Sequence, residues 1–375
     1  MKIKSISFVD NQGKPEVWEL EDFNVSDVNL IVAKNGTGKS RSLNIISHLA
    51  NLIAGRVKVG SGQNYEYSVE FESSERVTYE LKVVNGAIKN EQLVVGGEVK
   101  ISKLIDGKTE IYFDAIKQSL QSNFEPYVVA ASQRDSLQKP YLETLYEWAS
   151  NTTHLRFGTP LGQHVFTAYT DDFEKRFDYK NIESISAYFR MAEVKGNQEQ
   201  FKKLIISDLN EIGYDVSDIG YCEAGLATPD NKALHKIYVK ENDLNTKTYQ
   251  EQMSQGMFRA VSILVHINYI HLNDISTCLL IDDIGEGLDF KRSSALIKLL
   301  CKKIPNSTNQ LLMTSNDRFV MNGVALKYWS ILTRQGHKCS MINIHNSPEI
   351  FEDFEFTGLN NFDFFSTEFY KGESS

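Results

Sequence analysis

The chain has 375 residues, 41% of them hydrophobic and 24% charged, with a net charge of −9 and a pI near 5.5. That is enough apolar material to bury a sizeable core and too much for a disordered chain. No apolar run approaches the ~20 residues that span a bilayer, the N-terminus lacks the apolar core of a signal peptide, and an acidic surface argues against indiscriminate nucleic-acid binding, so a cytoplasmic globular protein without a membrane partner is expected.

The opening reads as strands. "KIKSISFV" alternates polar and apolar residues, "EVWELEDF" follows the turn "DNQGKP", and "VNLIVA" is apolar enough to be buried on both faces. "KNGTGKS" comes next, then "RSLNIISHLANLIA", whose Leu43, Ile46, Leu49, Ala50 and Ile53 share one helical face. Residues 64–113 switch to period two, in five segments separated by Asn-Gly, Gly-Gly and Asp-Gly pairs, and predict an antiparallel sheet. "PYVVAAS" (126–132) reads as a further buried strand ending at Gln133.

Residues 139–212 read as mostly helical, best defined in "NQEQFKKLIISDLNEIG", with no heptad pattern for a long coiled coil. "ALHKIYVKEN" (233–242) predicts a strand and "GMFRAVSILVHINYIHL" (256–272) an apolar helix. "TCLLIDD" and "NQLLMTS" predict buried strands either side of the helix "KRSSALIKLLCKKI", an alternation that implies a parallel, helix-covered sheet. The four cysteines (Cys222, Cys278, Cys301, Cys339) are scattered and read as free thiols.

Three stretches carry chemistry. In "AKNGTGKS", Gly36 and Gly38 let the backbone wrap round phosphate oxygens, and the following helix aims its positive end at the same anion. Lys39 is placed for the β- and γ-phosphates and Ser40 for Mg²⁺, although Ala33 stands where the pattern usually begins with Gly. "CLLIDD" is an apolar strand ending in two carboxylates, Asp282 for the Mg²⁺ shell and Asp283 for polarising the attacking water. "MSQGM" places Ser254 at the start of an apolar helix, 28 residues ahead of Asp282.

Taken together these motifs resemble the ABC-type P-loop ATPases, in particular the soluble SMC/RecF/OLD-like branch of repair and bacterial defence systems. "AKNGTGKS" is similar to their Walker A loop, "MSQGM" to the signature motif, and "LLIDDIGEGLD" to the Walker B strand and D-loop. The resemblance implies an α/β fold: an ABC-type P-loop NTPase core with a parallel, helix-covered sheet, an N-terminal antiparallel β subdomain and a helical signature subdomain. It divides the chain into residues 1–135 (first part of the core with the β insertion), 136–255 (helical lobe ending in the signature), 256–345 (second part of the core) and 346–375 (an aromatic-acidic tail).

The resemblance also implies ATP and Mg²⁺ as cofactors. Asn35, Gly36, Thr37, Gly38, Lys39, Ser40, Arg41, Gln255 and Asp289 would bind nucleotide, and Ser254 and Gly256 would complete the site of a second copy in a head-to-tail dimer. Ser40, Gln133 and Asp282 would hold Mg²⁺, and Asp283, Lys39, Gln133 and Asn316 would carry catalysis. The departures touch hydrolysis: Asp283 replaces the usual Glu, and Asn316, where a switch His is common, cannot take up a proton. Tight nucleotide binding with slow turnover is therefore expected.

Three roles fit such an ATPase. The first is the sensor subunit of an anti-phage defence complex with a separate effector, a nuclease or toxin, docked by the aromatic tail (Phe351, Phe354, Phe356, Phe362, Phe364, Phe365, Phe369, Tyr370) unless that tail packs on its own core. Only 59 residues follow Asn316, from which no appended nuclease domain is expected. The second is a DNA-repair or chromosome-maintenance ATPase, which leaves DNA open as a partner. The third, a transporter subunit, fits poorly because 214 residues separate Ser40 from Ser254.

Overall fold

The computed structural model describes residues 1–103, 107–304 and 309–372. The buried run "VNLIV" forms the strand Val28–Val32, fourth from one edge of a 14-stranded sheet. Thr153–Arg156, Cys278–Asp282, Gln310–Thr314, Val28–Val32 and Trp329–Gln335 lie side by side in parallel. Beyond them Lys338–Asn343 runs antiparallel to its neighbour, followed by Trp18–Asn24 and Lys2–Asp10. An antiparallel meander from Tyr65 to Ser122 then extends the sheet to its far edge.

Because strand side chains alternate between faces, the central strands serve two cores at once. Leu30, Val32, Leu279, Ile281, Leu311 and Met313 join the core built with helices Gln255–Leu272 and Phe290–Lys303. Ile31, Ala33, Cys278, Leu280 and Leu312 join the core on the other face, with helices Lys39–Ile53 and Tyr141–Asn151. All of these strand residues are buried, which explains why the segments read as continuous apolar runs. No helix among the described residues is long and apolar enough to cross a membrane.

Several expectations change. Residues 126–132 are not a strand but a turn leading into the one-turn helix Ala130–Ser132. The reason is Glu91, a buried carboxylate that accepts from the backbone N–H groups of Ala130 (2.8 Å) and Ala131 (2.9 Å) and so takes donors a sheet neighbour would need. Residues 139–212 are not uniformly helical. After Tyr141–Asn151 the chain forms the edge strand Thr153–Arg156 and then a long irregular stretch before helices Ile185–Val194 and Gln198–Glu211. The predicted strand 233–242 (observed as Ala233–Glu241) has an unforeseen partner, Val216–Ala227. The turn expected at Asp106-Gly107 begins outside the described residues.

The aromatic tail is not a free docking arm. Phe351, Phe354, Phe364 and Tyr370 are buried in the core built with helices Gln255–Leu272 and Phe290–Lys303, with the Phe364 ring 4.8 Å from Phe351, 4.9 Å from Phe354 and 6.4 Å from Trp329. Burying rings of this size outweighs leaving them for a partner, since each is worth ~1.5–3 kcal/mol. Only Phe356, at 90% exposure, stands clear of the core, and residues 373–375 lie outside the described set. Glu368 pairs with Lys34 of the glycine-rich loop and with Lys371, which ties the tail to that loop.

Candidate functional site

The strand Val28–Val32 ends at Ala33, and the loop that follows turns twice through conformations that favour glycine, Gly36 at φ 76° and Gly38 at φ 123°. A side chain on Gly38 would also meet the Trp18 ring at 3.1 Å. Lys39, only 8% exposed, donates from Nζ to the Ala33 carbonyl at 3.1 Å and so closes the loop on itself.

The helix Lys39–Ile53 starts at Gly38 with no side-chain cap. Its first N–H groups and its positive end are therefore directed into the loop, an arrangement suited to an anion. Burial pulls the Lys39 ammonium below its ordinary pKa, while Asp283 and Asp282 pull it back up.

The two carboxylates lie across from this loop. Asp282 ends the strand Cys278–Asp282, and its Oδ1 accepts from Ser40 Oγ at 3.0 Å and Thr314 Oγ1 at 2.6 Å. Two hydroxyls, one from a helix start and one from a strand end, thus converge on one carboxylate oxygen. A carboxylate, a hydroxyl and ligand phosphates form the oxygen set that Mg²⁺ takes with few protein donors, so Ser40 and Asp282 fit that ion. Asp283 sits at φ 57° with its N–H on Thr314 Oγ1 at 2.9 Å. Burial first, then Asp282 and Glu286, raise its carboxyl above the usual range against the opposing pull of Lys39.

Asn316 is brought to the loop as well, its Nδ2 donating to Asn35 Oδ1 at 2.9 Å. Thr37 turns its hydroxyl back onto the Lys34 carbonyl at 2.7 Å. Arg41 pairs with Asp10, and its guanidinium lies 4.5 Å above the ring of Trp18, the residue packed against Gly38.

Gln133 is not part of this cluster. Its neighbour Ser132 packs beside Gly55, where a side chain would lie 3.7 Å from Ser132 Cβ, at the end of the Lys39–Ile53 helix away from the loop. At a rise of about 1.5 Å per residue the helix sets Gln133 roughly 20 Å from Lys39, beyond the reach of its side chain. Its amide donates instead to Ser132 Oγ at 3.0 Å. The metal and catalytic roles expected of Gln133 rested on the strand that the Glu91 turn replaces.

Ser254, Gln255, Gly256 and Asp289 form a second cluster. Ser254 caps the helix Gln255–Leu272, accepting from Met257 N at 3.2 Å, and Gly256 packs so tightly that a side chain would fall 2.1 Å from the Gly287 carbonyl oxygen. Asp289 caps Phe290–Lys303 and pairs with Arg292 Nη1 at 2.7 Å. Among the described residues no hydrogen bond joins this cluster to Lys34–Arg41.

Residues that sequence reasoning passed over complete the picture. The edge strand sets Arg156 in register with Asp282, and a side chain on Gly158 would lie 2.7 Å from Glu286 Oε2 and 3.8 Å from Asp283 Cβ. The short alternation "THLRF" before "GTPLG" was its only signal. Thr314 lies inside "LMTSND", at the end of a buried strand two residues before Asn316.

No protein-family model matches the sequence, and no curated protein matches it. Among solved structures, the chain is similar to an SMC head bound to the C-terminal winged-helix domain of ScpA, at 11% identity and a TM-score of 0.53, covering 92% of this chain and 100% of that one. A Pyrococcus furiosus SMC head with an extended coiled coil, bound to the C-terminal domain of ScpA, aligns at 12% identity over 94% and 99% of the two chains with a TM-score of 0.49. The SMC head domain from Thermotoga maritima aligns at 12% identity over 92% and 99%, with a TM-score of 0.44. The chain therefore has the fold of an SMC head domain.

Proposed function

We propose that this chain binds ATP with Mg²⁺, hydrolyses it slowly, and acts as a dimeric switch closed by ATP and opened after hydrolysis. The observation that carries the reading is the convergence of Ser40 and Thr314 on Asp282, beside an uncapped helix start and the buried Lys39. Glycine-loop N–H groups and Lys39 would hold the β- and γ-phosphates, and Ser40 and Asp282 would hold Mg²⁺, which would supply charge neutralisation. Asp283 accepts the proton of the attacking water. Its side chain is one methylene shorter than glutamate, and base geometry is sensitive to reach of about 2.6–3.2 Å, so turnover is slow.

The site in one chain is half a site. Ser254 and Gly256 stand at the start of an 18-residue helix, and among the described residues no hydrogen bond joins them to the loop Lys34–Arg41. A second copy placed head to tail brings its γ-phosphate there, and ATP favours the closed pair through these added contacts. Sedimentation velocity of the full chain tests this. With ATP, Mg²⁺ and an Asp283→Asn chain the mass doubles from 42.6 kDa, and with ADP it does not. A monomer under both conditions would sink the reading.

The switch acts through a separate protein. The setting proposed first is an anti-phage defence complex whose effector is a nuclease or toxin. The likeness to an SMC head that carries a bound ScpA domain favours a second setting, chromosome maintenance or repair, with DNA as a partner. Stimulation of hydrolysis by duplex DNA at low salt supports the second setting, and its absence supports the first.

A further inference from the structure

Arg259 lies on the helix Gln255–Leu272, just over one turn from Ser254, and is 4% exposed. Its hydrogen bonds end on backbone carbonyls: Nε on Thr159 at 3.0 Å, Nη2 on Gly158 at 3.0 Å and Nη1 on Glu286 at 2.9 Å. No ion pair to it is found among the described residues. A buried cation without a carboxylate is an expensive way to fill space, and an apolar chain of similar volume would pack there at lower cost.

The fork does something an apolar chain cannot. Gly158 and Thr159 follow the edge strand beside Asp282, and Glu286 follows Asp283 by three residues. Both segments border Asp283, since Gly158 faces Asp283 and Glu286 directly. Arg259 therefore grips, from the signature helix, the two backbone segments that frame the hydrolytic carboxylate. Two glycines bring helix and segment this close. A side chain on Gly287 would strike Arg259 Nη1 at 2.7 Å, and one on Gly256 would strike the Gly287 carbonyl at 2.1 Å.

A second bond set runs the same way. Gln163 donates to the carbonyls of Gln250 (3.0 Å) and Met253 (2.8 Å), immediately before Ser254. The segment 158–163 is thus fastened at both ends to the start of the signature helix. From there a continuous path leads through Glu286 and Asp283 N to Thr314 and on to Asp282 and Ser40.

We propose that Arg259 is a positioning residue that couples the two ATP sites of the dimer: contact of a partner's nucleotide with Ser254 and Gly256 sets Asp283 of the same chain for hydrolysis. This rests on the ATP-dimer reading. Lysine keeps the charge but cannot span three carbonyls in two segments, because the planar fork is particular to arginine.

The test uses the full chain and compares wild type with Arg259→Lys in ATP binding, ATP-dependent dimerisation, melting temperature and turnover. Arg259→Lys is expected to melt near wild type, to bind ATP and dimerise unchanged, and to lose about tenfold in turnover together with any cooperativity in ATP. Turnover equal to wild type overturns the proposal. So does parallel loss of binding, dimerisation and melting temperature, which marks a plain structural role. If Arg259→Lys does not fold, Arg259→Gln, neutral and able to donate to one segment, takes its place under the same criteria, and failure of both to fold also overturns the proposal. A wild type that never dimerises with ATP refutes the dimer reading itself, and the two failures are distinguished in one experiment.

Discussion

Thr314 offers the sharpest perturbation of the site, because one hydroxyl serves both aspartates, the carboxylate of Asp282 and the backbone N–H of Asp283. It donates to Asp282 Oδ1 at 2.6 Å and accepts from Asp283 N at 2.9 Å, and the residue is fully buried. Thr314→Val keeps the shape of the side chain and removes both bonds, so no cavity confuses the result. A hydrogen bond to a charged group is worth ~1.5–3 kcal/mol, and an N–H left without an acceptor costs ~1–3 kcal/mol. A loss of about 3 kcal/mol lowers the melting temperature by several degrees. The larger effect is on the metal: Asp282 loses the partner that orients it, and removing such a partner typically weakens metal affinity about 10- to 100-fold. Titrating Mg²⁺ against ATP turnover reads this directly as a raised half-saturation. A Mg²⁺ dependence identical to wild type would refute the assignment of Asp282 to the metal.

Asp283→Asn removes the base and lowers turnover about 100-fold or more, with nucleotide binding by calorimetry unchanged. The raised carboxyl of Asp283 puts the acid limb of the turnover profile above that of an ordinary aspartate, since the base must be ionised. Glu286→Gln removes a negative neighbour and moves that limb to lower pH. The sign for stability is opposite to that of an ion-paired carboxylate: ionised Asp283 costs stability in full above its raised folded pKa, and the cost shrinks as pH falls below that value and is gone below the unfolded one. Gly256→Ala forces a methyl to 2.1 Å from the Gly287 carbonyl; ATP-driven dimerisation is lost while ATP binding by the monomer survives, as sedimentation and calorimetry can show. Phe364→Ala costs ~3–5 kcal/mol in denaturant unfolding, because the ring is buried core; unchanged stability would return the tail to the role of a docking element.

The sheet was legible where burial is two-sided or alternates strictly. "VNLIV", "CLLID" and "QLLMT" are apolar on both faces and became central strands, and "YEYSVEFE" and "VTYELKVV" alternate and became neighbours in the meander. The strand Thr153–Arg156 was not legible, because an edge strand of four residues carries too little periodicity to stand out. Residues 126–132 misled for the opposite reason: an apolar run that looks like a strand is bent at Ala130 by a carboxylate 39 residues earlier in the chain, Glu91. The glycine positions of "KNGTGKS" and the placement of Asp282 at a strand end were readable because backbone conformation and terminal position dictate those residue types. Thr314 and Arg259 were not, because their roles depend on which carbonyls and carboxylates the fold brings within reach.

The central claim is that each ATP site is shared by two chains, and complementation tests it most directly. Lys39→Ala disables the loop half of a site, and Ser254→Arg disables the signature half. Each variant alone is expected to be inactive. Mixed, they form dimers in which the loop of the Ser254→Arg chain faces the intact signature of the Lys39→Ala chain, and hydrolysis returns. A mixture as inactive as its components, with both variants folded, would contradict the account.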